Sequence, residues 1–189
     1  KSFSIFKRDV LLFGTNLITS IVVARTLGPT ALGIWMILML IPSYAEAFGR
    51  LKVDVASVYF VGQNKFRQQD ILFNMNVITL ISSGLLIVLI LWQFEFLHQL
   101  LFSESENGYR LHIFVLLIQI PLQFLSLNYS YFHIACENVT VYNRKTIVQA
   151  WSYSIIAIGL LLLTSLKLWS VIIASVVSIA LSMFYGFWK

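Results

Sequence analysis

Apolar residues in this chain neither alternate nor recur at fixed intervals; they run on. Six such runs, at about 10–25, 34–54, 71–94, 111–132, 147–165 and 170–188, are separated by short segments rich in charge, glycine and proline. Several reach the ~20 residues that a helix needs to cross the hydrocarbon core of a bilayer. Inside a bilayer the backbone must satisfy its own hydrogen bonds, so each run predicts a helix. The expected fold is all-α: a polytopic membrane protein whose residues 1–189 form one bundle of six transmembrane helices.

The polar residues inside these runs are patterned. On the first helix Thr15, Asn16, Thr19 and Ser20 share one side, and on the third Asn76, Thr79 and Ser83 repeat at three and four. The fourth carries the longest line: His112, Gln119, Gln123, Ser126, Ser130 and His133 step by seven, four, three, four and three, which holds one azimuth. Ser175, Ser178 and Ser182 give the sixth helix a small-residue face suited to close packing. Such stripes belong on the inside of a bundle, against other helices or a wet cavity. Pro42 and Pro121 are predicted kinks. Glu46, Arg50 and Asp54, spaced by four, are expected to stack on one helix face. They read either as an internally paired ladder at the membrane edge or as a charged gate or ion-coupling site. The two terminal histidines of the fourth-helix line read as interfacial residues.

Between the first two runs lies Ala24–Trp35, A-R-T-L-G-P-T-A-L-G-I-W, a predicted hairpin with its turn at Gly28-Pro29. Arg25 at that junction is costly unless it meets water, a headgroup or an anion. Residues 55–70 read as a helix end or interfacial stretch, 95–110 as an acidic loop with Glu95, Glu104 and Glu106, and 134–146 as a loop with Arg144 and Lys145.

Composition agrees: 59% of residues are hydrophobic and 11% charged, with mean hydropathy +0.84. Soluble domains carry about 25% charged residues. The net charge of +5 resides in short loops, so nucleic acid is not an expected partner. With the N-terminus in the cytoplasm, ten of the thirteen basic residues fall inside and Arg25, Arg110 and Lys167 outside. That matches the positive-inside rule and puts both ends of the chain in the cytoplasm. Trp35, Trp92, Trp169 and Trp188 fall near the expected interfaces. One cysteine, Cys136, excludes an internal disulfide and a cysteine-based metal site; no metal or other cofactor is expected. There is no nucleophile motif, no phosphate-cradling glycine loop and no catalytic carboxylate pair, so an enzyme is not expected. Two glycosylation-like triplets, at Asn128 and Asn138, read as chance matches.

The basic, Phe-rich start and the following A-R-T-L-G-P-T-A-L-G resemble the opening of the polysaccharide flippases of the multidrug/oligosaccharidyl-lipid/polysaccharide (MOP) exporter superfamily. Their first hairpin reads A-R-x-L-G-P-x-x-x-G, matched by Ala24, Arg25, Leu27, Gly28, Pro29 and Gly33. A further similarity is the glycine and polar-aromatic stretch from Gly49 to Gly62. The motif likeness covers about residues 5–70, and the rest only in helix spacing. It implies a multi-pass protein of the plasma (inner) membrane. It also implies two lobes that rock about a central cavity and move a polyprenyl-diphosphate-linked oligosaccharide between leaflets. Six helices correspond to the N-terminal lobe, so the partners implied are a C-terminal lobe or a second copy, membrane lipid, the lipid-linked cargo and the polysaccharide polymerase machinery. A chain that begins at Lys1 rather than Met fits a piece of a longer protein.

On this reading Arg25 engages the diphosphate, or snorkels to headgroups. Asn16, Thr19, Asn76, Gln119 and Gln123 line the cavity and meet sugar hydroxyls through water. A cation-coupled drug antiporter of the same superfamily is the alternative, with Glu46 as the membrane carboxylate. A non-transporting scaffold subunit that packs through the serine face is another.

Overall fold

A break in the first long helix sets the layout. The computed structural model describes residues 2–63, 65–102 and 107–188, with side chains for all of these except 2–5 and 107. Helix α1 (Ser2–Gly49) is helical throughout except at Gly28, whose φ of 75° and ψ of 172° lie where essentially only glycine goes. Asn16 and Ala24 before the break line one cavity with Leu32, Trp35 and Met36 after it. A straight helix would hold Asn16 and Met36 about 30 Å apart at 1.5 Å per residue. The chain therefore doubles back at Gly28 into a first arm (2–27) and a second arm (29–49).

The remaining helices are α2 (Val53–Gln63), α3 (Gln68–Trp92), α4 (Phe94–Leu101), α5 (Arg110–Ala135), α6 (Val139–Leu163) and α7 (Leu168–Trp188), with a single 3-10 turn at Asn107–Tyr109. Five helices, α1, α3, α5, α6 and α7, are long and apolar enough to cross a membrane. The chain is thus an all-helical, membrane-embedded multi-pass protein. Large apolar side chains cover its outside, among them Phe13, Phe48, Phe73 and Leu163. Soluble proteins rarely expose contiguous apolar surface of this extent.

Side-chain bonds fix the directions. Arg8 bonds Asn143 and Thr19 bonds Ser154, two pairs with the same offset of 135, so the first arm runs parallel to α6. Gln119–Ser175 and Ser126–Ser182 share an offset of 56, so α5 runs parallel to α7. Lys145 against Gly186 and Gln149 against Ser182 make α6 antiparallel to α7. One end of the bundle, here the basic end, gathers the start of α1, α2, the start of α3, the junction of α5 and α6, and the end of α7. The other end holds Gly28, α4 and the junction of α6 and α7. There Phe94 and His98 of α4 and the following Phe102 stack toward Tyr109, His112 and Trp169. Arg110 pairs with Glu95 at 2.9 Å across the same cap.

Several expected boundaries move. The run 34–54 ends at Gly49, because Leu51 and Lys52 take positive φ (50° and 55°) and turn the chain before α2. Glu46, Arg50 and Asp54 therefore do not share one continuous helix face. The stretch 71–94 is helical over Gln68–Trp92, and 111–132 over Arg110–Ala135. The helix expected at 147–165 begins at Val139, so the segment read as a loop at 134–146 is mostly helix; Asn138 caps it by accepting from the Val141 N–H. Most of the acidic segment 95–110 is α4 and the 3-10 turn, while Glu104 and Glu106 lie outside the described residues. Pro42 and Pro121 sit inside continuous helix.

Gly49 marks the closest approach of the second arm to α3. A Cβ there would stand 2.1 Å from Leu86 Cδ1, and the Ser82 hydroxyl donates to the Gly49 carbonyl. Gly33, in contrast, has open space around it. Gly28→Ala should destabilise the detergent-solubilised protein by about 1–3 kcal/mol, the usual cost of a strained backbone at such dihedrals. Gly33→Ala should be neutral or slightly stabilising by thermal unfolding, since it adds a better helix former in open space.

Candidate functional site

The polar line on α5 turns inward as its spacing predicts, and most of it is closed by other helices. Gln119 is buried and accepts from the Ser175 hydroxyl at 2.9 Å. Gln123 donates to the Glu46 carboxylate at 2.5 Å. Ser126 lies 3.3 Å from Ser182, and His133 Nε2 is 3.1 Å from the Gly186 carbonyl. On the neighbouring face Asn128, fully buried, donates to Asn76 and Thr79. Its side chain is thus spent on packing α5 against α3, which leaves the glycosylation-like triplet without a role. His112 is buried against Trp169, ring centroids 4.1 Å apart.

One member of this seam escaped the sequence reading. Lys145 is 2% exposed, and its ammonium donates to Ser126 at 2.8 Å and Ser130 at 2.7 Å. Among the described residues no carboxylate pairs with it. Gly186 makes room for its stem, since a Cβ there would lie 3.1 Å from Lys145 Cε. The signal was present: Lys145 and Gln149 are four apart, as a helix starting at Asn138 requires.

A more open region, lined by both polar and apolar side chains, lies beside this closed one. Two adjoining cavities of about 340 Å³ each share Asn16 and Tyr153. Gln149, Ser175 and Ser178 line one; Thr19, Ser20 and Trp35 line the other. Together they form a cleft between the first arm and its neighbours. Thr19 is tied to Ser154 at 2.7 Å, whereas Asn16 is exposed and, among the described residues, makes no hydrogen bond. Asn76, Gln119 and Gln123 line neither cavity; their amides are engaged in the seam. Arg25 is exposed near Gly28, next to the cavity-lining Ala24, with no ion pair among the described residues.

Glu46, Arg50 and Asp54 come together even though the helix breaks between them. All three line a third cavity, of about 470 Å³, at the basic end. Arg50 is buried, stands 4.0 Å from Asp54 and lies over the Tyr131 ring. Against known proteins, no family model, no curated protein and no solved structure matches this chain.

Replacing both Ser126 and Ser130 with alanine strips the buried ammonium of its partners and should cost about 3–5 kcal/mol in thermal or denaturant unfolding. Lys145→Met in the wild-type background should be close to neutral, because it removes the charge and keeps the volume.

Proposed function

We propose that this chain is the N-terminal lobe of a carrier that moves a polyprenyl-diphosphate-linked oligosaccharide from the inner to the outer leaflet of the plasma membrane. In this reading the two arms of α1 each cross the membrane, which with α3, α5, α6 and α7 makes six crossings. The basic end faces the cytoplasm. Among the described residues eight of eleven basic side chains lie toward that end, which supports the orientation.

The observation that carries the reading is the cleft around Asn16 and Tyr153, which mixes polar and apolar lining. A bundle that needed polar groups only for packing would close them all, as it does along α5. Here amide, hydroxyl and phenol groups stay open at membrane depth, where water or a ligand must meet them. Sugar hydroxyls suit such a lining. Arg25 is the chain neighbour of the cavity-lining Ala24 and is exposed, so its guanidinium is available to take phosphate oxygens bidentately. A cation-coupled antiporter draws support from Glu46, a half-buried carboxylate at membrane depth held by Gln123.

Both readings are separable by export of lipid-linked oligosaccharide in cells lacking their own flippase, using the full-length gene. Asn16→Leu and Arg25→Ala should each lower surface glycan at least tenfold at normal protein levels. Full export by both variants would remove the cleft from the mechanism. Activity that depends on Glu46 alone, with Asn16→Leu unimpaired, would favour the antiporter. For the topology, Cys136 is replaced by serine and single cysteines are placed at Thr30 and Lys65. A membrane-impermeant maleimide on intact cells should label the first and spare the second.

A further inference from the structure

Arg50 is placed where an arginine is costly to keep. It is 8% exposed, and its Nε and Nη2 are buried with no hydrogen-bond partner. The nearest carboxylate oxygen, Asp54 Oδ1, is 4.0 Å from Nη2, beyond hydrogen-bond reach. The guanidinium carbon lies 4.7 Å from the centre of the Tyr131 ring, which fixes the plane without filling the donors. The Arg50 side chain lines the cavity of about 470 Å³ at the basic end, with these two unfilled donors shut away from water behind its wall.

We propose that this cavity binds the phosphodiester of a membrane phospholipid, with Arg50 donating to the phosphate oxygens and Lys52 adding charge at the rim. The chemistry of the lining selects this ligand in three ways. A guanidinium with unfilled donors in the cavity wall suits a phosphate in charge and, once the side chain turns toward the space, in geometry. Glu46 and Asp54 face the same space and repel a dianion or diphosphate, which favours a singly charged phosphodiester. Phe48 and Leu51, which also line the cavity, are 75% and 67% exposed and offer apolar surface to the start of the acyl chains. The position fits as well: Arg50 directly follows the apolar span that ends at Gly49, where a basic residue is expected to meet headgroups. Nothing in this assignment depends on transport, so it stands or falls apart from the carrier reading.

The test uses the full-length protein in detergent micelles, titrated with phosphatidylglycerol, with diacylglycerol of the same tails, and with inorganic phosphate. Phosphatidylglycerol should raise the unfolding temperature by about 2–4 °C, as linkage to a bound ligand requires. Diacylglycerol and inorganic phosphate should leave it unchanged. Arg50→Gln should abolish the rise, and Arg67→Gln, at an exposed arginine of the same end, should keep it. An equal rise with diacylglycerol, or an undiminished one in Arg50→Gln, overturns the site; an equal rise with inorganic phosphate overturns the lipid as its source. Should Arg50→Gln not fold, wild-type protein labelled with 15N at arginine gives an independent answer. One Nε–H signal should shift on adding phosphatidylglycerol and not on adding diacylglycerol, and its failure to move overturns the proposal.

Discussion

Hydrocarbon offers a polar side chain nothing to bond, and the architecture follows from where α5 sends its polar groups. That helix carries amides, hydroxyls and imidazoles along most of its length, so no lipid-facing position suits it. It lies instead among α1, α2, α3, α6 and α7, all of which it touches. Interhelical hydrogen bonds in membranes contribute on average only about 0.6 kcal/mol each, too little to drive association. Their value is in register. The constant offset of 56 between α5 and α7 means that a slip of one helix by a single turn would leave Gln119, Ser126 and their partners unsatisfied together. Breaking one bond is cheap, while stranding the whole row is not.

The same constraint separates the packed part of the bundle from the open part. Along α5 each amide finds a partner; along the first arm Thr19 does and Asn16 does not. The difference traces to Gly28. By reversing the chain there, α1 presents its two arms side by side, and they diverge enough to leave the cleft between Ser20, Trp35 and Tyr153. A straight α1 would have carried Asn16 away from Trp35 and Met36 and left no enclosed space. One backbone conformation thus decides whether the first polar stripe becomes packing or lining.

Helices, the Gly28 turn and the inward azimuth of α5 were legible in the sequence because each depends on local chemistry. Apolar run length, a glycine-proline pair and a repeat of three and four are all properties of neighbouring residues. What was not legible depended on partners remote in the chain. Lys145 looked like a loop lysine because polar residues surround it, yet Ser126, Ser130 and Gly186 receive it inside the bundle. The i, i+4 spacing of Glu46, Arg50 and Asp54 suggested one ladder. The chain broke it by placing Leu51 and Lys52 at positive φ, and nothing in their side chains announces that. Asn76, Gln119 and Gln123 were read as cavity lining on azimuth alone, which cannot tell a facing helix from a facing void.

Three cations then illustrate three different bargains with the membrane. Arg25 stays exposed, Arg50 opens into a cavity, and Lys145 is sealed against hydroxyls of α5. The sealed one constrains motion most. Separating α6 from α5 would expose an ammonium to hydrocarbon or leave it without its serines, a cost that packing of apolar faces does not impose. The three helices α5, α6 and α7 are therefore held as one body, tied through Lys145, Ser126, Ser182 and Gln149. The Gly28 reversal and the positive-φ turn beside Arg50 lie outside this set of ties. The open cleft reaches Ala24 and Leu32 on either side of the first point and the Arg50 cavity is lined by Leu51 and Lys52 of the second, so the spaces left open lie where the helices break.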